Sequence, residues 1–259
     1  MCRIFGHSFI LSDSRAEWMK MSLKAYCAIA IFLVAGSAQA ADNSFNLLFA
    51  FGNPGAAFLA TDPIWRNEQA LAQIILKPSG LVWTQKIVPP ARYFQDIESD
   101  ERACGMRSSL ASAKEHDVIW IPTFASHFVL AARPGVDLVP DRLEGLKGYR
   151  VGTAIGSRTL KMLEAAGIAA DATPGDGLNY QKLMSWRIDF WFTTAEAPIL
   201  FSRDNGTPAP RIALDMGRTE VGLVCNRHMP EPILAKLREA IKSYIEKGGT
   251  EIVPQSTAR

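Results

Sequence analysis

The run YRVGTAIGSRTLKMLEAAGI, Tyr149 to Ile168, is a strand that breaks at Gly156-Ser157 and enters a helix with no spacer. Val151 to Ile155 is apolar, and Leu160, Leu163 and Ala166 then recur at helical spacing. Such a junction leaves backbone N–H groups at the helix start pointing outward. Gly156-Ser157 can therefore seat a carboxylate or another anion. Ser157 can equally close its own helix as an N-cap, and the two roles are compatible.

The same alternation runs through the chain. Phe45–Phe51 reads as a strand ended by Gly52-Asn53-Pro54-Gly55, Asn67–Leu76 as a helix and Leu81–Val88 as a strand. Pro89-Pro90 opens a helix over Ala91–Ile97, since proline suits a first helical turn. Ala103–Arg107 reads as a strand, and Asp117–Ile121 and His127–Arg133 as two extended segments. After Pro134-Gly135 a second unit begins. It holds strand Tyr149–Ile155, helix Arg158–Ala166, strand Ala170–Thr173, helix Tyr180–Trp186 and strand Asp189–Thr193. Strands Arg211–Leu214 and Glu220–Cys225 follow. Helix Pro230–Lys247 closes the chain, with Ile233, Leu237, Ile241 and Ile245 on one face. Alternation of this kind implies two α/β units around largely parallel sheets.

The first forty residues are expected to be an upstream segment and a secretory signal peptide. Lys20 and Lys24 precede an apolar run from Ala25 to Val34, and small residues end it at Ala38-Gln39-Ala40. The start codon is left open between Met1, Met19 and Met21. Cleavage after Ala40 gives a periplasmic chain of 219 residues. The leader holds four basic and two acidic residues of the 28 and 26 in the whole sequence, so 24 of each remain. A chain without a basic surplus carries no nucleic-acid footprint. Cys104 and Cys225 are left in an oxidising compartment, where they form either one disulfide or two buried thiols. Adjacency in a sheet decides between the two.

Catalytic patterns are sparse. After the leader the histidines are His116, His127 and His228, none in a nucleophile motif, and there is no G-x-S-x-G. No Cys/His cluster has metal-ligand spacing, and Gly152 and Gly156 are not followed by G-K-[ST]. No cofactor or metal is expected, and what remains is recognition chemistry.

Three segments carry a resemblance. LEGLKGYRVGTAIGSRTLKMLEAAGI with NYQKLMSWRIDFWFTTAEAP resembles the second lobe of family 3 extracellular solute-binding proteins, the periplasmic components of amino-acid ABC importers. RACGMRSSLASAKEHDVIW resembles their first-lobe ligand strand, and VGLVCNRHMPEPILAKLREAIKSYIEKGG their return strand and terminal helix. The resemblance implies a two-lobed α/β fold of the type 2 periplasmic binding class. Lobe 1 would be residues 41–133 with 218–259, lobe 2 residues 134–217, and the ligand cleft would lie between them. It also implies a monomer that takes a small-molecule ligand and meets an ABC permease in the inner membrane.

Carried over position by position, the resemblance implies ligand contacts from Arg107, Ser109 and Lys114 in the first lobe. In the second it implies Gly156, Ser157, Arg158 and Thr194. Thr194 stands where the family has the aspartate that holds an α-ammonium, and Glu196 lies two residues on. Three cations and no amine partner favour an anionic small molecule over an ordinary amino acid. An exported enzyme on the same fold, with Glu196 and His127 as its acid/base pair, is the alternative, as is a ligand-sensing accessory protein.

Overall fold

The computed structural model describes residues 43–52, 55 and 60–249. The leader, its cleavage point and the last ten residues lie outside these. Among the described residues no helix is long and apolar enough to cross a membrane.

One eight-stranded sheet organises the chain, in the order β2-β1-β3-β8-β4-β7-β5-β6. Its strands are β1 (Ser44–Ala50), β2 (Val82–Val88), β3 (Ala103–Ser109), β4 (Val118–Ala132), β5 (Val151–Ala154), β6 (Ala170–Thr173), β7 (Phe190–Thr194) and β8 (Arg211–Asn226). The helices are α1 (Pro63–Leu76), α2 (Tyr93–Glu98), α3 (Leu110–Ala113), α4 (Arg158–Ala165), α5 (Asp176–Met184), α6 (Glu196–Asn205) and α7 (Glu231–Glu246).

The apolar runs of β1 and β7 are continuous because both faces of each strand are buried. Phe45, Leu47 and Phe49 of β1 enter a core with Ile75 and Leu76 of α1 and Leu237 and Ile241 of α7. Leu48, pointing the other way, packs with Tyr93 and Ile97 of α2. In β7, Phe190 and Phe192 join Leu163 of α4 and Leu146. Trp191 between them faces Tyr180, Leu183 and Phe201. Each end of the sheet thus has its own cores on both faces.

The sheet corrects the expectation of largely parallel pairing. β2, β1 and β3 are parallel at one end, and β7, β5 and β6 at the other. The middle is antiparallel, because β8 pairs β3 and β4, and β4 pairs β7. β4 and β8 are single strands of 15 and 16 residues, where the sequence suggests two segments each. Pro122 interrupts the pattern of β4, but it sits at a register shift where a strand tolerates a residue without an N–H. Helix α6 is also unforeseen. Pro198 falls in its first turn, where no intrahelical donor is needed.

Two cross-links fix the frame. Cys104 and Cys225 are directly paired across β3 and β8, with Cα atoms 4.0 Å apart, and are disulfide-bonded. Asp189, just before β7, accepts from Arg150 Nε and Nη2 at 3.1 and 2.9 Å and from Arg133 Nε at 3.0 Å. The guanidinium of Arg150 leads the contacts that hold the Asp189 carboxyl well below the usual range.

Candidate functional site

The strands of the two parallel triplets end at one cavity. Ala50-Phe51 closes β1, Arg107 to Ser109 closes β3, Ala154-Ile155 closes β5 and Thr194 closes β7, and all of these line a space of about 300 Å³. The carboxyl ends of parallel strands are where open α/β sheets bind ligands, since the chain leaves the sheet there and side chains converge.

Arg107 occupies the centre. The register of β3 against β8 shifts between Gly105 and Ser108, and Arg107 in this bulge has φ 60°. That left-handed conformation is uncommon outside glycine. Its side chain is only 10% exposed and forms an ion pair with Glu196 through Nη2. Nε lies 3.6 Å from Glu68 Oε1, and the guanidinium carbon is 5.8 Å from the Phe124 ring centre. Nη1 is buried without a hydrogen-bond partner.

Carboxylates surround this guanidinium. Burial alone would raise the Glu196 carboxyl, but Arg107 beside it brings it below the usual range, helped by the Thr194 hydroxyl. Ser126 Oγ donates to the other oxygen of Glu196 at 3.2 Å. Burial pushes Glu68 up to about 7 despite Arg107, and Glu196, Asp62 and Asp176 add to the rise. Burial also pushes Asp176 up to about 6, although Trp191 Nε1 and Thr193 Oγ1 donate to its Oδ1 at 3.0 and 3.1 Å. Asp62 caps α1, accepting from Ile64 and Trp65 N–H at 2.8 and 3.0 Å, and burial raises it too. Three carboxylates, Asp62, Glu68 and Asp176, thus line the cavity with Arg107 and Arg158, while Glu196 is paired with Arg107 and is not itself in the lining.

Six of the seven sequence-predicted residues line the cavity: Arg107, Ser109, Gly156, Ser157, Arg158 and Thr194. Lys114 does not. It is exposed at the end of α3, and Ser112, two residues earlier, lines the cavity instead. Ser109 caps α3 through an acceptance from Ser112 N–H at 3.2 Å. Ser157 caps α4, accepting from Leu160 N–H at 3.1 Å and donating to Ala154 O at 2.6 Å. Gly156 has φ 69°, and a Cβ there would come within 3.1 Å of Pro90 across the cavity. Arg158 reaches Glu115 at 3.5 Å.

His127 does not line the cavity. Its Nδ1 contacts Asp215 Oδ1 at 2.8 Å. Sequence reasoning missed Asp62, Glu68, Asp176 and Tyr93. Asp62-Pro63 is a legible helix start, but nothing in a linear pattern aims Glu68 inward. Among the described residues no group of acidic, His or Cys side chains could hold a metal ion.

Neither a protein-family model nor a curated protein sequence matches the chain. Solved structures do match. One is an ancestral arginine-binding protein bound to arginine, 18% identical with TM-score 0.60, covering 80% of this chain and 94% of that one. The fold is that of the type 2 periplasmic binding proteins. A histidine kinase sensor domain with similarity to periplasmic binding proteins matches at 13% identity and TM-score 0.62, over 79% of this chain and 91% of that one. An ancestral amino acid-binding protein described as a precursor of cyclohexadienyl dehydratase matches at 12% identity and TM-score 0.58, over 80% and 91%.

Proposed function

We propose that the chain is an exported solute-binding protein that captures a small, amino-acid-sized organic ligand between its two lobes and presents it to an ABC-type importer. The observation that carries this reading is the cavity of about 300 Å³ at which the carboxyl ends of strands from both parallel triplets converge, with Arg107, ion-paired to buried Glu196, in its wall. A space of that size suits an amino-acid-sized molecule. Neighbours of the same fold bind arginine or other amino acids according to their descriptions. The lobes are taken as residues 41–133 with 218–259 and residues 134–217, with β4 and β8 passing between them. Arg107, Ser109, Gly156, Ser157, Arg158 and Thr194 are the proposed ligand contacts.

A thermal-shift screen against amino acids, amines, dicarboxylates and aromatic acids tests the reading, since a ligand that binds only the folded chain raises its melting temperature. Absence of a shift from every class at millimolar concentration overturns it.

One observation favours a second reading. Glu68 and Asp176 face one cavity with carboxyls near neutral, as an acid/base pair requires. An enzyme would convert the solute that the screen identifies, whereas a binding protein returns it unchanged. Proton NMR of the incubated mixture separates the two.

A further inference from the structure

We propose that the cleft is built for a small organic cation without a carboxylate, a diamine or an alkylguanidine, whose charged end is held by Glu68 and Asp176. This rests on the solute-binding reading above and adds the ligand's charge and chemistry to it.

The first argument is the charge facing the cavity. Asp62 and Glu68 come from the start of α1 and its second turn and Asp176 from the start of α5, while Glu196 of α6 is not itself in the lining. Arg107 from β3 is the buried cation among them, and its charge is already matched by Glu196. Tyr93 from α2 stays a neutral phenol, since burial raises it far above its ordinary value. At the rim, Arg158 from α4 lies against Glu115. The lining acids outnumber the cations left to balance them, since Arg107 is shared between Glu196 and Glu68, and an entering ammonium or guanidinium relieves that excess.

The second argument concerns the place a ligand carboxylate would need. Arg107 has one guanidinium nitrogen without a partner, Nη1, and that atom is buried with no surface to offer. Lys114 lies outside the cavity. The Ser157 hydroxyl is committed to Leu160 N–H and Ala154 O. Among the described lining residues that leaves the guanidinium of Arg158, which already lies against Glu115, so a ligand carboxylate would have to compete for it.

The third argument is the wall. Phe51, Phe94 and Phe128 line the cavity beside these acids. Aromatic faces suit the alkyl stem of an amine and attract its charge.

Binding of a cation favours the ionised forms of Glu68 and Asp176, so it releases protons wherever those groups are partly protonated in the empty cleft. Affinity then rises with pH through the range in which they titrate.

Isothermal titration of the full exported chain tests the proposal with agmatine, putrescine, L-arginine and succinate at pH 7.5 and 5.5. The expected result is binding of agmatine and putrescine, with agmatine at least ten-fold tighter than L-arginine and succinate inert. Agmatine should weaken ten-fold or more at pH 5.5. Its heat should differ between phosphate and Tris by the amount that proton release requires. Glu68→Gln should weaken agmatine at pH 7.5 at least ten-fold and flatten the pH dependence. Asp176→Asn is the second variant should Glu68→Gln fail to fold. Tighter binding of L-arginine or succinate than of agmatine overturns the proposal and leaves the solute-binding reading in place. If none of the four binds and the wider screen finds no ligand, both fall.

Discussion

Arg107 holds a left-handed backbone at a strand end, and its guanidinium is the buried cation paired with Glu196. Replacing it by methionine keeps the bulk and leaves Glu196 uncompensated. Breaking a buried pair from one side costs about 3–5 kcal/mol. Arg107→Met should therefore lower the urea midpoint strongly, and adding Glu196→Gln should recover much of the loss.

Glu68 gives a pH prediction whose sign differs from that of an ordinary paired carboxylate. Its folded value is raised to about 7, so between the ordinary glutamate value and pH 7 the folded chain binds more protons than the unfolded chain. Stability then falls as pH rises through that window. The shift corresponds to about 3 kcal/mol above neutral pH. Thermal melts of the unliganded protein should show higher stability at pH 5 than at pH 8 from this group, and Glu68→Gln should narrow the difference. Ser157 was legible from its strand-to-helix junction, whereas Arg107 and Thr194 were reached only through the family resemblance. Glu68 was not legible, because a helical glutamate faces solvent or a cavity according to tertiary packing alone. Lys114 was placed two residues from the position that enters the cavity, and on a short helix two residues reverse the direction of a side chain.

At the scale of elements, β3 and β8 carry the disulfide one turn of the pleat before the Arg107 bulge. The bridged cysteines are 121 residues apart in sequence, and the chain-entropy model assigns about 4–5 kcal/mol to a loop that long. Cys104→Ser with Cys225→Ser should lower the denaturation midpoint by a matching amount, and reductant should have no further effect on that variant. Cysteine spacing left the bridge open, and the pairing of β3 with β8 decides it. Most strands and helices were legible from apolar periodicity. The continuity of β4 and β8 was not, because each shifts register along its length, and a bulge looks like a loop in a linear pattern. Helix α6 was hidden by Pro198 and by a short, weakly periodic apolar face.

At the scale of the molecule, two ends of one sheet, each with its own cores, are joined by two long strands beside a cavity. That is an arrangement on which a ligand can act as a bridge, stabilising the state in which both ends touch it. The alternation of strands and helices was legible from apolar periodicity. The ligand's charge was not, because it depends on three carboxylates from two helices that meet only in the folded chain. At a concentration a hundred times Kd a ligand should add about 2.7 kcal/mol, a rise of several degrees in melting temperature for a domain of this size. Export makes a separate prediction: N-terminal sequencing of the secreted chain should begin at Ala41.

The most direct test of the central claim is a crystal structure of the protein with the tightest solute from the screen. The account predicts that solute inside the cavity, in contact with Thr194 or Gly156 on one side and with Glu68 or Arg107 on the other. A solute bound on an outer surface, with this cavity unoccupied at a saturating concentration, would contradict it.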